Sequence, residues 1–294
     1  MANSTGSFSI YQLKNSLDVV LETASTKHPV IEHFKTIQYF PEDVLITAFS
    51  WYPAGWSVGM TLSSGQVCLG HVDLCRDKES ASSVEVTIHD LEAWTLAFAF
   101  DGSGIFSGGD DSTLRYTEVA INQDYHQDFT AVPAYHSVRR MPWTDQRVHG
   151  AGVTAILPLS SDDEGSLVLT GSYDDHIRLL QIPAIGRRVI LAESNLGGGV
   201  WRLKRFHHPS RSRTLSNEDE EGVLLLASCM HAGARLLKLS QNEERKWQFE
   251  VLAKFEEHKS MNYGSDCQSS LDTKSRRTFI TTSFYDRLLC LWRY

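Results

Sequence analysis

One short string recurs along this chain, and it constrains the fold more than any other feature. "GSYDDHIRLL" at residues 171–180 has the form small–Gly–Ser–x–Asp–x–x–Ile–x–Leu, and related strings are "FSGGDDSTLRYTEV", "LASCMHAGARLLKL" and "TTSFYDRLLCLWRY". Weaker copies are "NSTGSFSIYQL" and "MTLSSGQVCLGHV", so the turn positions Thr5, Ser64, Asp111, Asp174, His231 and Asp286 follow one another at intervals of 47–63 residues. Each copy lies between two runs rich in Val, Ile, Leu and aromatics, the pattern of a β-hairpin. A further run precedes the last five copies ("VLITAFSW", "WTLAFAF", "VTAILPL", "VWRLKRF", "YGSDCQ"). Outer runs such as "SVEVTIHD", "RVILAES" and "FEVLAKFEEH" lie ahead of some of these. Four short strands per repeating unit predict an all-β chain, a β-propeller.

In that frame Asp111, Asp174 and Asp286 cap the turn between the second and third strands of a blade, and Ser172 belongs to the same scaffold. Trp292, six residues after Asp286, stands where WD-type repeats carry a strand-end tryptophan, which makes the expected class a WD40-type propeller. The intervals exceed the ~40–45 residues of a typical WD repeat, so loop inserts are expected at about 120–150 and over the polar stretch 207–222. Residues 1–294 read as one domain of five complete units and, from residues 4–13, the second half of another. An incomplete propeller exposes two unpaired strand edges, so poor solubility of the isolated chain is expected.

A net charge of −8 over 294 residues argues against a nucleic-acid surface, which carries a basic stripe. No apolar run reaches the ~18–20 residues of a membrane span, and "MANSTGSFSIYQL" has no secretory h-region. Five cysteines without a CxxC pair suit reduced thiols, and a cytoplasmic location is the expectation. The chain has no HExxH zinc spacing, so no metal is expected.

Chemistry is sought where the repeat is broken without structural need. His231 replaces the turn aspartate, Cys229 stands where Ser172 stands one unit earlier, and His176 takes a position usually held by Thr. "NLGGGVWRL" places three glycines before a first strand, where close backbone approach and bare N–H groups are available. The second-to-third-strand turns and the loops entering first strands open on one face of a propeller. That face would gather His176, His231, Cys229, Tyr173, Tyr263, Tyr285, Asp110, Asp175 and Trp201 into a concave cluster.

Taken in order, "SGGDD", "TGSYDDHI", "GGGVWRLK", "ASCMHAG", "YGSD" and "TSFYDRLLCLW" resemble motifs of the diphthine methyl ester hydrolases (diphthine methylesterases), a WD-repeat family of diphthamide biosynthesis. The resemblance runs from about residue 92 to 294, whereas residues 4–90 match in pattern only. It implies a seven-bladed fold of which this chain covers about five and a half, without the first blade. It implies a hydrolase that cleaves the methyl ester of methylated diphthine on eukaryotic elongation factor 2, giving diphthine and methanol, with no cofactor. A later ligase amidates the product and is a further possible partner. From the residues, two schemes stay open. Water is activated by His231 or His176 with Asp175 orienting it, or Cys229 or Ser172 is a nucleophile served by a histidine. The N–H groups of Gly198 and Gly199 would hold the oxyanion, and Trp201, Tyr263 and Tyr285 would face the trimethylammonium group. The rival expectation is a non-catalytic adaptor that holds elongation factor 2 for amidation.

Overall fold

Strands dominated by Val, Ile, Leu and small residues, with turn residues between them, build a series of antiparallel sheets. The computed structural model describes residues 5–14, 30–53, 57–72, 74, 81–100, 102–121, 135–136, 142–162, 165–183, 186–206, 222–271 and 276–294. A hairpin of β1 (Ser7–Lys14) and β2 (Val30–Gln38) comes first. The first blade is β3 (Ile46–Trp51), β4 (Ser57–Leu62), β5 (Gln66–His71) and β6 (Ser83–Ile88). The second contains β7 (Ala93–Phe98), β8 (Gly104–Gly109) and β9 (Leu114–Glu118), after which β10 (Ala120–Ile121) and β11 (Tyr135–His136) pair apart from it. Its fourth strand is β12 (Trp143–Asp145). The third blade is β13 (Val153–Asp162), β14 (Gly165–Ser172), β15 (His176–Pro183) and β16 (Val189–Asn195). The fourth is β17 (Arg202–Phe206), β18 (Val223–Ser228), β19 (Ala234–Gln241) and β20 (Trp247–Phe255). Among the described residues the fifth has three strands, β21 (Asn262–Leu271), β22 (Arg277–Ser283) and β23 (Leu289–Arg293).

The first strands form an inner series, with β7 against β3 and β13, and β17 against β13 and β21. Second strands are covered on both faces by neighbouring blades, which is why β4 and β8 are buried along their whole length and do not alternate. Outer strands such as β20 alternate between exposed and half-buried positions. The core is accordingly divided into layers between sheets. Leu169, Ile177, Leu225 and Leu237 share one layer between the third and fourth blades, and Phe106, Leu114, Val153 and Val168 share another between the second and third. Burying each of the large side chains contributes roughly 1.5–3 kcal/mol. Close nesting needs glycine at two matching places. A Cβ on Gly108 would lie 2.6 Å from Val153 Cγ1, and one on Gly171 would lie 2.5 Å from Val200 Cγ1.

The expectation of an all-β WD40-type propeller agrees with this architecture. Residues 207–221 of one expected insert lie outside the described residues, as do 122–134 and 137–141 of the other. Residues 143–145, assigned to the second insert from sequence, form the outer strand of the second blade, and 142–150 are part of the fold.

The turn aspartates do the structural work expected of them. In the second blade His89 Nδ1 lies 3.0 Å from Asp111 Oδ1, its Nε2 lies 2.9 Å from Ser107 Oγ, and Thr113 Oγ1 donates to Asp111 at 2.6 Å. In the third, His149 Nε2 meets Thr170 Oγ1 at 2.9 Å, and Asp174 accepts the N–H groups of Gly150 (2.8 Å) and His176 (3.1 Å). In the fifth, His258 Nε2 meets Thr281 Oγ1 at 2.8 Å, and Asp286 accepts the Lys259 N–H at 2.9 Å. Asp111 is held down at about 2, since hydrogen bonds from Thr113 and His89 outweigh the burial that alone would raise it.

Burial, aided by the nearby Arg178 guanidinium, lowers His149 from the ordinary 6.5 to about 4. The unfolded chain therefore takes up a proton below 6.5 that the folded chain refuses until about 4. That contribution is fully present above 6.5 and is lost as pH falls toward 4. Thermal melts should show Tm declining over this window, with a shallower decline in His149→Gln; an unchanged slope in the variant would assign the loss to other groups.

Candidate active site

Five residues after each loop histidine, or its counterpart Leu196 in the fourth blade, the chain enters a first strand, and it places Trp94, Thr154, Trp201 and Tyr263 at equivalent points. Three of the four are aromatic, and the series of first strands brings their rings to one end of the inner wall. The Trp94 and Trp201 centroids are 5.6 Å apart, and Trp201 and Tyr263 are 4.9 Å apart. Tyr173, from the turn of the third blade, adds its ring 5.9 Å from Trp201, on the side where Thr154 has no ring to offer. Tyr263 continues to Phe284 (6.1 Å), and Phe284 to Tyr285 (5.2 Å). A cleft of about 320 Å³ opens beside Tyr263, between Phe284 and Leu288. Phe284 and Tyr285 are mostly exposed, so the inner rings Trp94, Tyr173, Trp201 and Tyr263 form the wall and the outer two its lip.

Two charges frame this wall. Asp110 Oδ1 accepts the Trp94 indole N–H at 3.2 Å and sits beside Tyr173, both lying about 2.9 Å from where a Cβ on Gly152 would be. The Arg202 guanidinium lies 5.1 Å from the Trp201 centroid and donates Nη1 to the carbonyls of Thr154 (3.3 Å) and Trp201 (3.1 Å). Burial and then the Asp110 carboxylate push the Tyr173 hydroxyl well above its usual value, so it stays protonated and neutral. Among the described residues no cluster of three or more His, Cys, Asp or Glu is placed to hold a metal ion.

The fourth blade breaks the turn network completely. Leu196 replaces the loop histidine and Ala227 the strand hydroxyl, and both are buried, with Cys229 and Val200, in one apolar cluster. His231 stands at the turn-aspartate position. The backbone N–H that Asp111, Asp174 and Asp286 receive from Asp90, Gly150 and Lys259 is here the Gly197 N–H, and Asn195 Oδ1 takes it at 2.8 Å. The turn itself is recast, with positive φ at Met230 and Gly233. His231 is thereby exposed and has no hydrogen-bond partner among the described residues. Gly198 packs against this turn so closely that a Cβ would fall 2.4 Å from the Cys229 carbonyl oxygen. Gly199 fits between Met230 Sδ and Tyr173. Neither the Gly198 nor the Gly199 N–H has a described acceptor, and both residues are buried.

The structure thus brings Asp110, Tyr173, Trp201 and Tyr263 together, with Gly199 adjoining Tyr173 and Tyr285 at the margin. It does not gather the catalytic set drawn from sequence. Cys229 is fully buried, its sulfur facing the Ala227 carbonyl at 3.8 Å, and burial pushes its thiol up to about 12. A nucleophile needs an accessible thiolate, so this environment does not suit one. Ser172 is likewise buried and occupied, donating to the Ala151 carbonyl at 3.0 Å. His176 has Nδ1 2.6 Å from the Asp174 carbonyl, and its backbone N–H completes the same turn bond that Thr113 makes one blade earlier. The Asp175 carbonyl accepts the Leu196 N–H at 2.8 Å, and no bond joins the Asp175 carboxylate to either histidine. Trp94 and Arg202 were missed from sequence. Trp94 was findable, since it stands at the same offset from His89 as Trp201 does from Leu196.

Two measurements check the placement of Cys229. Alkylation of the folded chain at neutral pH should reach the half-buried Cys290 well before Cys229. Cys229→Ala should keep its turnover; rapid labelling of Cys229 that abolishes turnover would restore it as a nucleophile.

Comparison with known proteins agrees with this architecture. Residues 83–116 match the family "WD domain, G-beta repeat". The diphthine methyltransferase of Schizosaccharomyces pombe is 28% identical over 99% of this chain and 73% of its own length. That of Saccharomyces cerevisiae is 29% identical over 69% of this chain and 49% of its own, and that of Homo sapiens 33% over 60% and 32%. The chain therefore spans about half or less of the budding-yeast and human relatives. Chaetomium thermophilum Sqt1, solved bound to the N-terminus of ribosomal protein L10, superposes with a TM-score of 0.56 at 14% identity over 98% of this chain and 70% of its own. The WD40 propeller domain of Doa1 superposes at 0.51 and 14% identity, over 84% and 64%, and at such identities both likenesses concern the fold alone. In its repeat, its fold and these sequences, the chain is similar to WD-repeat proteins and, among them, to the diphthine methyltransferases.

Proposed function

We propose that this chain hydrolyses the methyl ester of methylated diphthine on eukaryotic elongation factor 2, in the cytosol, releasing diphthine and methanol. The relatives' name speaks of a methyltransferase; hydrolysis of the ester instead releases the methyl group, with its oxygen, as methanol. The observation that carries the reading is the convergence of Trp94, Tyr173, Trp201 and Tyr263 from four blades on one mouth, with the Asp110 carboxylate at its side. Aromatic faces beside a carboxylate suit a quaternary ammonium group, which each face attracts by about 0.5–2 kcal/mol. The trimethylammonium of the substrate has that chemistry.

Hydrolysis then needs a base and an oxyanion site. Water oxygen adds to the ester carbonyl carbon, the C–OCH3 bond breaks, and methoxide takes up a proton to leave as methanol. The acid formed loses its proton at neutral pH. His231 is our choice of base, because the recast turn leaves its imidazole at the rim with no structural duty. The buried N–H groups of Gly198 and Gly199, in the loop packed against that turn, are our choice for the developing oxyanion. The carboxylate product is what an amidating ligase requires.

The test is methanol release, with loss of the corresponding mass from elongation factor 2 carrying the ester. His231→Ala should lower kcat about 10²–10⁴-fold with unchanged circular dichroism. Trp201→Ala should mainly raise KM, by about tenfold, as expected for the loss of ~1–2 kcal/mol of cation–π attraction. Binding of elongation factor 2 without methanol release would make the chain an adaptor and end the esterase reading.

A further inference from the structure

Arg202 is the one element of the mouth to which that reading gives no task. It opens β17, directly after Trp201, and its guanidinium lies across the wall between the third and fourth blades. Arg115, Arg178, Arg188 and Arg235 each meet a carboxylate, at 3.5, 2.9, 2.7 and 2.7 Å respectively. Arg202 meets none among the described residues. Its Nη1 donates to two carbonyls, while Nε and Nη2 have no described acceptor. Burial accordingly pulls its affinity for the proton below the usual guanidinium value. A half-buried cation without an anion beside it has lost part of its hydration, and that loss is offset when an anion arrives.

The surroundings say which anion. Asp110 holds the Trp94 indole and Arg202 lies by the Trp201 ring, the two rings being 5.6 Å apart, so the mouth holds opposite charges beside neighbouring rings of one aromatic wall. A ligand with a quaternary ammonium and a carboxyl group a short distance apart matches that arrangement. The planar fork of a guanidinium also fits a carboxylate with two parallel hydrogen bonds.

We propose that Arg202 is the anion anchor of this site, joining the Gly198 and Gly199 N–H groups on the ester carbonyl oxygen as it becomes an oxyanion and then holding the carboxylate of the product. The proposal rests on the esterase reading and specifies its acyl side. The ester arrives neutral at its carboxyl end and leaves as an anion, so Arg202 favours the transition state and product over the substrate. Product affinity therefore exceeds substrate affinity, and the enzyme is inhibited by its own product.

Binding and turnover test the two ideas separately. Elongation factor 2 carrying diphthine and the same protein carrying the methyl ester are titrated against the full chain and against Arg202→Gln. The glutamine can still donate to the Thr154 carbonyl but carries no charge. Wild type should prefer the carboxylate form by about tenfold or more, as for a charge-assisted hydrogen bond worth ~1.5–3 kcal/mol, and Arg202→Gln should lose that preference while holding the ester as well as wild type does. In turnover, kcat of the variant should fall about 10²–10³-fold with KM nearly unchanged. Arg202→Lys, which keeps the charge without the fork, should restore part of the preference, and it serves as the variant if Arg202→Gln does not fold. An equal preference in wild type and either folded variant overturns the anchor. A wild type that prefers the carboxylate yet releases no methanol overturns the esterase reading and leaves the anchor standing.

Discussion

In three blades of this protein a backbone N–H from the loop that enters the first strand reaches a carboxylate in the turn between the second and third strands. Asp90 donates to Asp111, Gly150 to Asp174 and Lys259 to Asp286. The bond fixes the height at which each inner strand starts relative to its own blade, and so fixes the residues that stand five positions after the loop histidine. Trp94 and Tyr263 are held level by this means, and Thr154 marks the same level in the third blade. Carboxylates that accept such bonds stay ionised well into the acid range, so the arrangement is firm wherever the buried histidines remain neutral.

The fourth blade reaches the same level by other chemistry. Leu196, Ala227 and Cys229 fill with apolar atoms the space that histidine and hydroxyl occupy elsewhere, and Asn195 takes over the backbone N–H. A well-packed apolar cluster replaces a polar network at little cost when donor and acceptor side chains are removed together. Here the exchange keeps Trp201 in position and releases His231 from the turn. It also explains the glycines. Gly198 lies against the recast turn, where a side chain would collide with the Cys229 carbonyl, and Gly199 fits between Met230 Sδ and the Tyr173 ring.

Much of this was legible in the sequence, and the limits have physical causes. Repeats of period-two strands and turn aspartates identify blades because each blade solves the same packing problem. The aromatic members Tyr173, Trp201 and Tyr263 were found because departures at one offset map to one rim. Cys229 was misjudged because spacing placed it two residues from His231, whereas its burial is decided by Leu196 and Val200, which lie more than twenty-five residues away. His176 looked exceptional by residue type, yet its backbone bond is one that any residue can make. Arg202 was passed over because its significance is the absence of a carboxylate neighbour among the described residues, which no local pattern records.

The threonine at position 154 has a consequence beyond leaving room for Tyr173. Its hydroxyl turns away to donate to the Val200 carbonyl at 2.6 Å, and its own carbonyl receives Arg202. The series of rings is therefore interrupted at one blade, and the Arg202 cation is held at the interruption. A single small residue among large ones thus decides where a positive charge enters a mouth otherwise walled by rings.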